Sequence, residues 1–174
     1  MNRSQLEQCI RDYGKDLYAF CCRITQNVQE AEELYQDTFL KAMELLHSME
    51  YENNPKSYLL SIALRLWKNK KRKYAWRNRI AGMTELTPEI VDREAAENLP
   101  EEEMIQREIN IRVRKAVAGL EEKYRLPIYL FYTAELSVKE ISRILKLPQG
   151  TVKTRLYHAR KILKEELEVV LDEI

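Results

Sequence analysis

Residues 136–163, LSVKEISRILKLPQGTVKTRLYHARKIL, hold the pattern that decides the fold. Ser137 with Glu140 at the third position is the signature of a capping box, and Val138, Ile141, Ile144 and Leu145 then recur along one helix face. Leu147, Pro148 and Gly150 interrupt that run, and from Thr151 to Leu163 a second helical period places Val152, Leu156, Ala159 and Leu163 inward. Two short helices joined by a tight turn make a helix-turn-helix, whose second helix can enter the major groove of DNA. The outward residues around that second helix, Gln149, Thr151, Lys153, Thr154, Arg155, Tyr157, His158, Arg160 and Lys161, are nearly all hydrogen-bond donors or cations. Lys153, Thr154, Tyr157 and His158 are the candidates for base edges, and Arg155, Arg160 and Lys161 for phosphates. An exposed amphipathic hairpin with a basic face is the competing reading, disfavoured because capping, turn and charge agree.

Upstream of this motif, Ile109, Val113, Ala116, Val117 and Leu120 share one face of a helix that begins near Ile105 and ends near Gly119. The next segment, Tyr124 to Ala134, is apolar almost all round, as the central helix of a small domain must be. In the other direction the sequence loses its periodicity between Ile80 and Met104, carries Pro88 and Pro100, and is rich in Glu, which predicts a flexible acidic linker. The expected organisation is therefore all-α, with a first domain over 1–79, a linker over 80–104 and a second domain over 105–174.

The first domain reads as three helices. In residues 4–24, Leu6, Cys9, Ile10, Tyr13, Leu17, Phe20 and Cys21 form an inward stripe, with Gly14 as a candidate bend. Asn27 caps a second helix that runs to about His47, with Leu34, Tyr35, Phe39, Ala42, Met43 and Leu46 inward and Glu33, Asp37, Lys41 and Glu44 outward. After the breaker segment MEYENNPK a third helix opens at Ser57, with Leu59, Ile62, Ala63 and Leu66 on one face and Ser57, Ser61, Arg65, Lys68 and Arg72 on the opposite one.

The formal net charge of +1 conceals a strong division. Pro55 to Arg79 holds nine Lys or Arg and no acid; Ile80 to Met104 holds eight acids and one Arg; Glu135 to Lys164 holds eight cations and two Glu. Two basic surfaces separated by an acidic connector fit a protein that touches a polyanion at two places. Three cysteines, Cys9, Cys21 and Cys22, with two histidines, supply neither a disulfide framework nor a metal site, and buried thiols in a reducing compartment are expected. No paired catalytic groups and no phosphate-cradling glycine loop point to an enzyme. The polar start MNRSQLEQCIRDYGK and the lack of any long apolar run predict a cytoplasmic protein without membrane insertion. These residues alone still leave open a repressor or activator that binds an operator as a dimer.

The stretch LEEKYRLPIYLFYTAELSVKEISRILKLPQGTVKTRLYHARKIL, residues 120–163, resembles the region-four domain of extracytoplasmic-function sigma factors, including its GTVKTRLYHAR recognition helix. Independently, AEELYQDTFLKA (31–42) resembles the family's polymerase-docking helix of region two, and PKSYLLSIALRLWKNKKRK (55–73) the helix that engages the minus-10 element. The resemblance implies core RNA polymerase and promoter DNA as partners, an anti-sigma factor as regulator, and neither cofactor, catalysis nor small-molecule substrate. Carried over by position, it assigns Glu33, Gln36, Asp37 and Lys41 to polymerase, and Asn54, Lys56, Tyr58, Ser61, Arg65, Lys68, Asn69 and Arg72 to the minus-10 strand. The helix-turn-helix residues would read the minus-35 duplex. Trp67 and Trp76 could stack on bases, although burial is the commoner fate of a tryptophan. Arg65 and Asn69 stand where the family often has Asn and Asp, Tyr58 where it has Trp, and His158 where it has Arg. The family's glycine before the helix-turn-helix is replaced by Ala134 and Glu135, which predicts a tighter or more helical turn.

Overall fold

The computed structural model describes residues 3–45, 54–81 and 101–171. The chain divides into two compact units, Met1–Val91 and Asp92–Ile174, and every described regular element is helical.

The first unit holds α1 (Arg3–Thr25), α2 (Val28–Glu44) and α3 (Pro55–Ala81). Leu6, Leu17 and Phe20 of α1 bury against Ala31, Leu34 and Ala42 of α2 and Leu59, Ile62 and Ala63 of α3. Each large side chain so buried contributes about 1.5–3 kcal/mol. Ile10 and Met43, expected inside, are exposed instead, because a bundle of only three helices encloses a narrow seam. Gly14 does not interrupt α1: a Cβ there would stand 2.9 Å from the Tyr35 hydroxyl, so the glycine permits a close approach of α2. Tyr35 in turn packs edge-on against Tyr18 and Phe39, with ring centroids 5.6 and 5.0 Å away. Cys9 and Cys21 are buried in the same core, and burial, with Cys22 adjacent, pushes the Cys21 thiol up to about 12.

Local chemistry sets the helix ends. The Asn27 side chain accepts from the Glu30 amide at 3.0 Å, as its position predicts. At α3 the cap lies upstream of Ser57: Asn54 accepts from the Ser57 amide at 3.2 Å, and Pro55 takes the first helical position, where its missing N–H costs nothing. The expected end of α2 near His47, the inward Leu46 and the loop residues Glu52 and Asn53 lie outside the described residues. So does most of the expected linker, although α3 extends to Ala81 and α4 begins at Glu101.

The second unit holds α4 (Glu101–Gly119), α5 (Glu122–Ile128), a π-wound turn (Tyr129–Thr133), α6 (Val138–Leu145) and α7 (Gln149–Leu171). Leu120, Leu126, Tyr129, Leu130, Ile141, Val152, Leu156 and Ala159 form its core. Val113, expected inside, is exposed. The Arg125 guanidinium donates to the Ala118 carbonyl at 2.6 Å, satisfying an end group of α4.

Of the two expectations for the turn before the helix-turn-helix, the more helical one holds and the tighter one does not: helical winding continues through Thr133, but as a wider π turn. The Ala134 amide donates five residues back to Tyr129 at 3.1 Å, and the Leu136 amide six residues back to Leu130 at 3.0 Å. Glu135 closes this turn with φ 56°, a left-handed conformation that glycine adopts without strain and other residues at a cost of roughly 1–2 kcal/mol. Lys146, φ 55°, does the same at the end of α6, so Gly150 is not the turn residue; it lies inside α7, which begins two residues before Thr151.

Candidate functional site

The helix-turn-helix is assembled as its sequence predicts. The Ser137 hydroxyl accepts from the Glu140 amide at 3.3 Å, and the Glu140 carboxylate accepts from the Ser137 amide at 2.8 Å. Ile141 of α6 and Val152, Leu156 and Ala159 of α7 are buried, which fixes the rotation of α7 and turns its polar residues outward. Gln149, Lys153, Thr154, Tyr157, His158, Arg160 and Lys161 are exposed; Thr151 and Arg155 are half-buried.

These side chains are held differently. Among the described residues, no acid pairs with Lys153 or Arg155. Lys161 stands 3.9 Å from Glu165, and Thr154 donates to the Gly150 carbonyl at 3.0 Å. The His158 ring lies between Tyr157, at 5.5 Å, and Tyr124 of α5, at 6.4 Å. A shallow concavity beside the start of α7 is lined by Lys123 and Tyr124 together with Thr151, Thr154, Arg155 and His158. The helical period could not reveal Lys123 and Tyr124 as part of this surface, because they arrive on a neighbouring helix.

In the first unit, α3 presents an exposed basic face over residues 69–77. Arg65, Asn69 and Arg72 are exposed, and the Arg72 guanidinium donates to the Asn69 side chain. Tyr58, Ser61 and Lys68 are half-buried, with the Ser61 hydroxyl donating to the Tyr58 carbonyl at 2.7 Å. Lys56 does not share the exposure of that face. Its side chain is only 15% accessible, and its ammonium lies 2.6 Å from Asp16 of α1. Asn54 is occupied as the cap of α3. The two tryptophans part company: Trp67 is 5% exposed beneath the Lys71 ammonium, at 4.7 Å, while Trp76 is 64% exposed, against the expectation of burial.

On α2, Glu33, Gln36 and Asp37 are exposed and Lys41 is half-buried, paired with Glu44 at 2.6 Å. The exposed Leu40 and Met43 add apolar area beside them. Tertiary packing joins surfaces that the sequence keeps apart: Asp37 shares a groove with Leu66, Asn69, Arg72 and Trp76 of α3, and Glu33 pairs with Lys70 at 2.8 Å. Among the described residues, no cluster of His, Cys, Asp and Glu could hold a metal ion, and no helix is long and apolar enough to cross a membrane.

Comparison with known proteins gives the same division. Sigma-70 region 2 matches residues 9–77, and Sigma-70, region 4 matches residues 110–163. The chain is 33% identical over 160 residues to the ECF RNA polymerase sigma factor SigW of Bacillus subtilis, covering 89% of this chain and 84% of that protein. It is 27% identical over 169 residues to SigX of the same organism, covering 93% and 83%. In fold it resembles the sigma factor RpoE of Bartonella quintana, solved in complex with the anti-sigma factor NepR, with a TM-score of 0.77 at 24% identity over 94% of this chain and 96% of that one.

Proposed function

Because the chain belongs to the extracytoplasmic-function group of sigma-70 factors, and so binds core RNA polymerase and directs promoter-specific transcription initiation, we propose how its surfaces divide that work. The face of α7 reads the minus-35 duplex. The observation that carries this assignment is that α7 follows the capped helix α6 and has its buried side fixed by Val152, Leu156 and Ala159, while its outer side offers Lys153 and Arg155, which no acid pairs among the described residues. Lys153, Thr154, Tyr157 and His158 take the base edges, and Gln149, Thr151, Arg155, Arg160 and Lys161 the backbone.

In the first unit, Tyr58, Ser61, Arg65, Lys68, Asn69 and Arg72 hold the melted minus-10 strand, with Trp76 available to stack. Lys56 and Asn54 support that surface, since Lys56 is committed to Asp16 and Asn54 to the cap of α3. Glu33, Gln36, Asp37 and Lys41 face polymerase, and the exposed Leu40 and Met43 give that interface an apolar centre. Melting costs about 1.4 kcal/mol of stacking per step, so captured bases and polymerase contacts together must offset several such steps. Every role is one of binding, and no residue acts as acid, base or nucleophile. The working organisation is a first domain over 1–79, an acidic linker over 80–104 that DNA repels, and a second domain over 105–174, acting in the cytoplasm. An anti-sigma protein is the expected regulator, by analogy with the complex of RpoE and NepR.

The test is run-off transcription from a pool of promoter fragments with purified core polymerase. Initiation at discrete sites only with the chain present is expected. Asp37→Ala should weaken polymerase binding without DNA, while Lys153→Ala and His158→Ala should change which minus-35 sequences are used. Equal losses on every promoter from both α7 variants would remove their role in base choice.

A further inference from the structure

Arg160 is held unlike the other cations of α7. Its Nε donates to the Tyr132 hydroxyl at 2.8 Å, and its guanidinium lies over the rings of Phe131 and Tyr132, 5.5 and 5.6 Å from their centroids. Those rings stand edge to face, 5.0 Å apart. Among the described residues, its two terminal nitrogens have no acceptor. The site therefore fixes the base of the guanidinium with a neutral oxygen and leaves its fork of donors, with the full positive charge, exposed.

Both aromatic partners come from the π-wound turn. Winding Tyr129–Thr133 with five-residue hydrogen bonds turns the following side chains away from their α-helical directions, and Tyr132 emerges 56% exposed beside α7 while Tyr129 and Leu130 stay buried. We infer that Tyr132 is a positioning residue for promoter binding: it holds Arg160 ready to grip one DNA phosphate through the two terminal nitrogens. This inference rests on the reading of α7 as the minus-35 helix. A planar guanidinium suits bidentate phosphate contact, and a side chain already ordered in the free protein loses less freedom on binding. An acidic partner would hold the arginine equally well but would cancel the charge that phosphate requires; a tyrosine hydroxyl does not.

The experiment measures binding of the reconstituted holoenzyme to a promoter duplex by fluorescence anisotropy across roughly 50–200 mM salt. Arg160→Ala should weaken every promoter about tenfold, as the loss of a charged hydrogen-bond pair would, and lower the salt slope by about 0.9. Tyr132→Phe keeps the ring and every charge; it should cost about threefold in affinity with the salt slope unchanged. In the Arg160→Ala background, Tyr132→Phe should have no further effect. An unaltered affinity for Tyr132→Phe alone, or a full loss repeated in the Arg160→Ala background, overturns the positioning role. Unaltered affinity and slope for Arg160→Ala would instead overturn the assignment of Arg160 to DNA. Failure of Lys153→Ala and His158→Ala to change minus-35 preference would reject the reading of α7 itself.

Discussion

The two basic helices differ in charge, α3 with nine Lys or Arg and no acid and α7 with five against three Glu, and they spend it differently. On α3, Lys56 is neutralised by Asp16 of α1 and Lys70 by Glu33 of α2, so part of its charge ties the first unit together. On α7, Lys153 and Arg155 have no acidic partner among the described residues, and Arg160 is steadied by a neutral hydroxyl. Lys56 and Lys70 are thus struts between helices in the first unit, whereas in the second the lysines of α7 either pair within their own helix, as Lys161 and Lys164 do, or, like Lys153, have no acidic partner among the described residues. The surrounding helices decide which lysines become struts.

The largest expected difference between the units appears at alkaline pH, because all three cysteines lie in the first. Cys21 has an ordinary value of 9.0 and is pushed up to about 12 by burial. Below pH 9 folded and unfolded chains both keep this proton and stability is unaffected; between 9 and 12 the unfolded chain releases it while the folded one does not. Stability should therefore fall as pH rises through that window, by on the order of a few kcal/mol. Hydrogen exchange resolved by unit should show the first unit opening earlier, with Cys21→Ala removing most of the difference. Parallel loss in both units, unchanged by Cys21→Ala, would break the contrast.

A smaller effect separates the lysines themselves. Lys56→Met should lower the stability of the first unit by about 1 kcal/mol, since it strips the half-exposed Asp16 of its partner, whereas Lys153→Met should stay within about 0.3 kcal/mol. Denaturant melts of the two variants measure this directly. Equal, negligible costs would make Lys56 another surface cation and return it to the candidates for DNA contact.

The smallest expected change sharpens the account of the π-wound turn. Glu135→Gly relieves a left-handed residue and should raise the stability of the second unit by about 0.5–1 kcal/mol. A calorimetric scan that finds destabilisation instead would mean that the Glu135 side chain holds the turn in a way its backbone angle does not reveal.

Legibility followed the range of the interaction involved. The capping box of Ser137 and Glu140 and the cap at Asn27 were readable because partners three residues apart meet in any helix start. The buried stripe of Val152, Leu156 and Ala159 was readable because a helical period is local. Ile10, Met43 and Val113 fitted such stripes and are nonetheless exposed, since a period marks a direction and not the depth of the seam it meets. The start of α3, expected at Ser57, lies two residues earlier, because Asn54 accepts from the Ser57 amide and Pro55 suits the first helical position.

By itself, the sequence determined two helical units, a helix-turn-helix in the second, and the family, because caps, periods and charge blocks act over a few residues. Only the tertiary structure decided which cations remain free. Asp16 reaches Lys56, Glu33 reaches Lys70 and Tyr132 reaches Arg160 across separations of 40, 37 and 28 residues. Such pairings depend on how helices rotate against one another and on a turn wound five residues deep, and no local pattern encodes either.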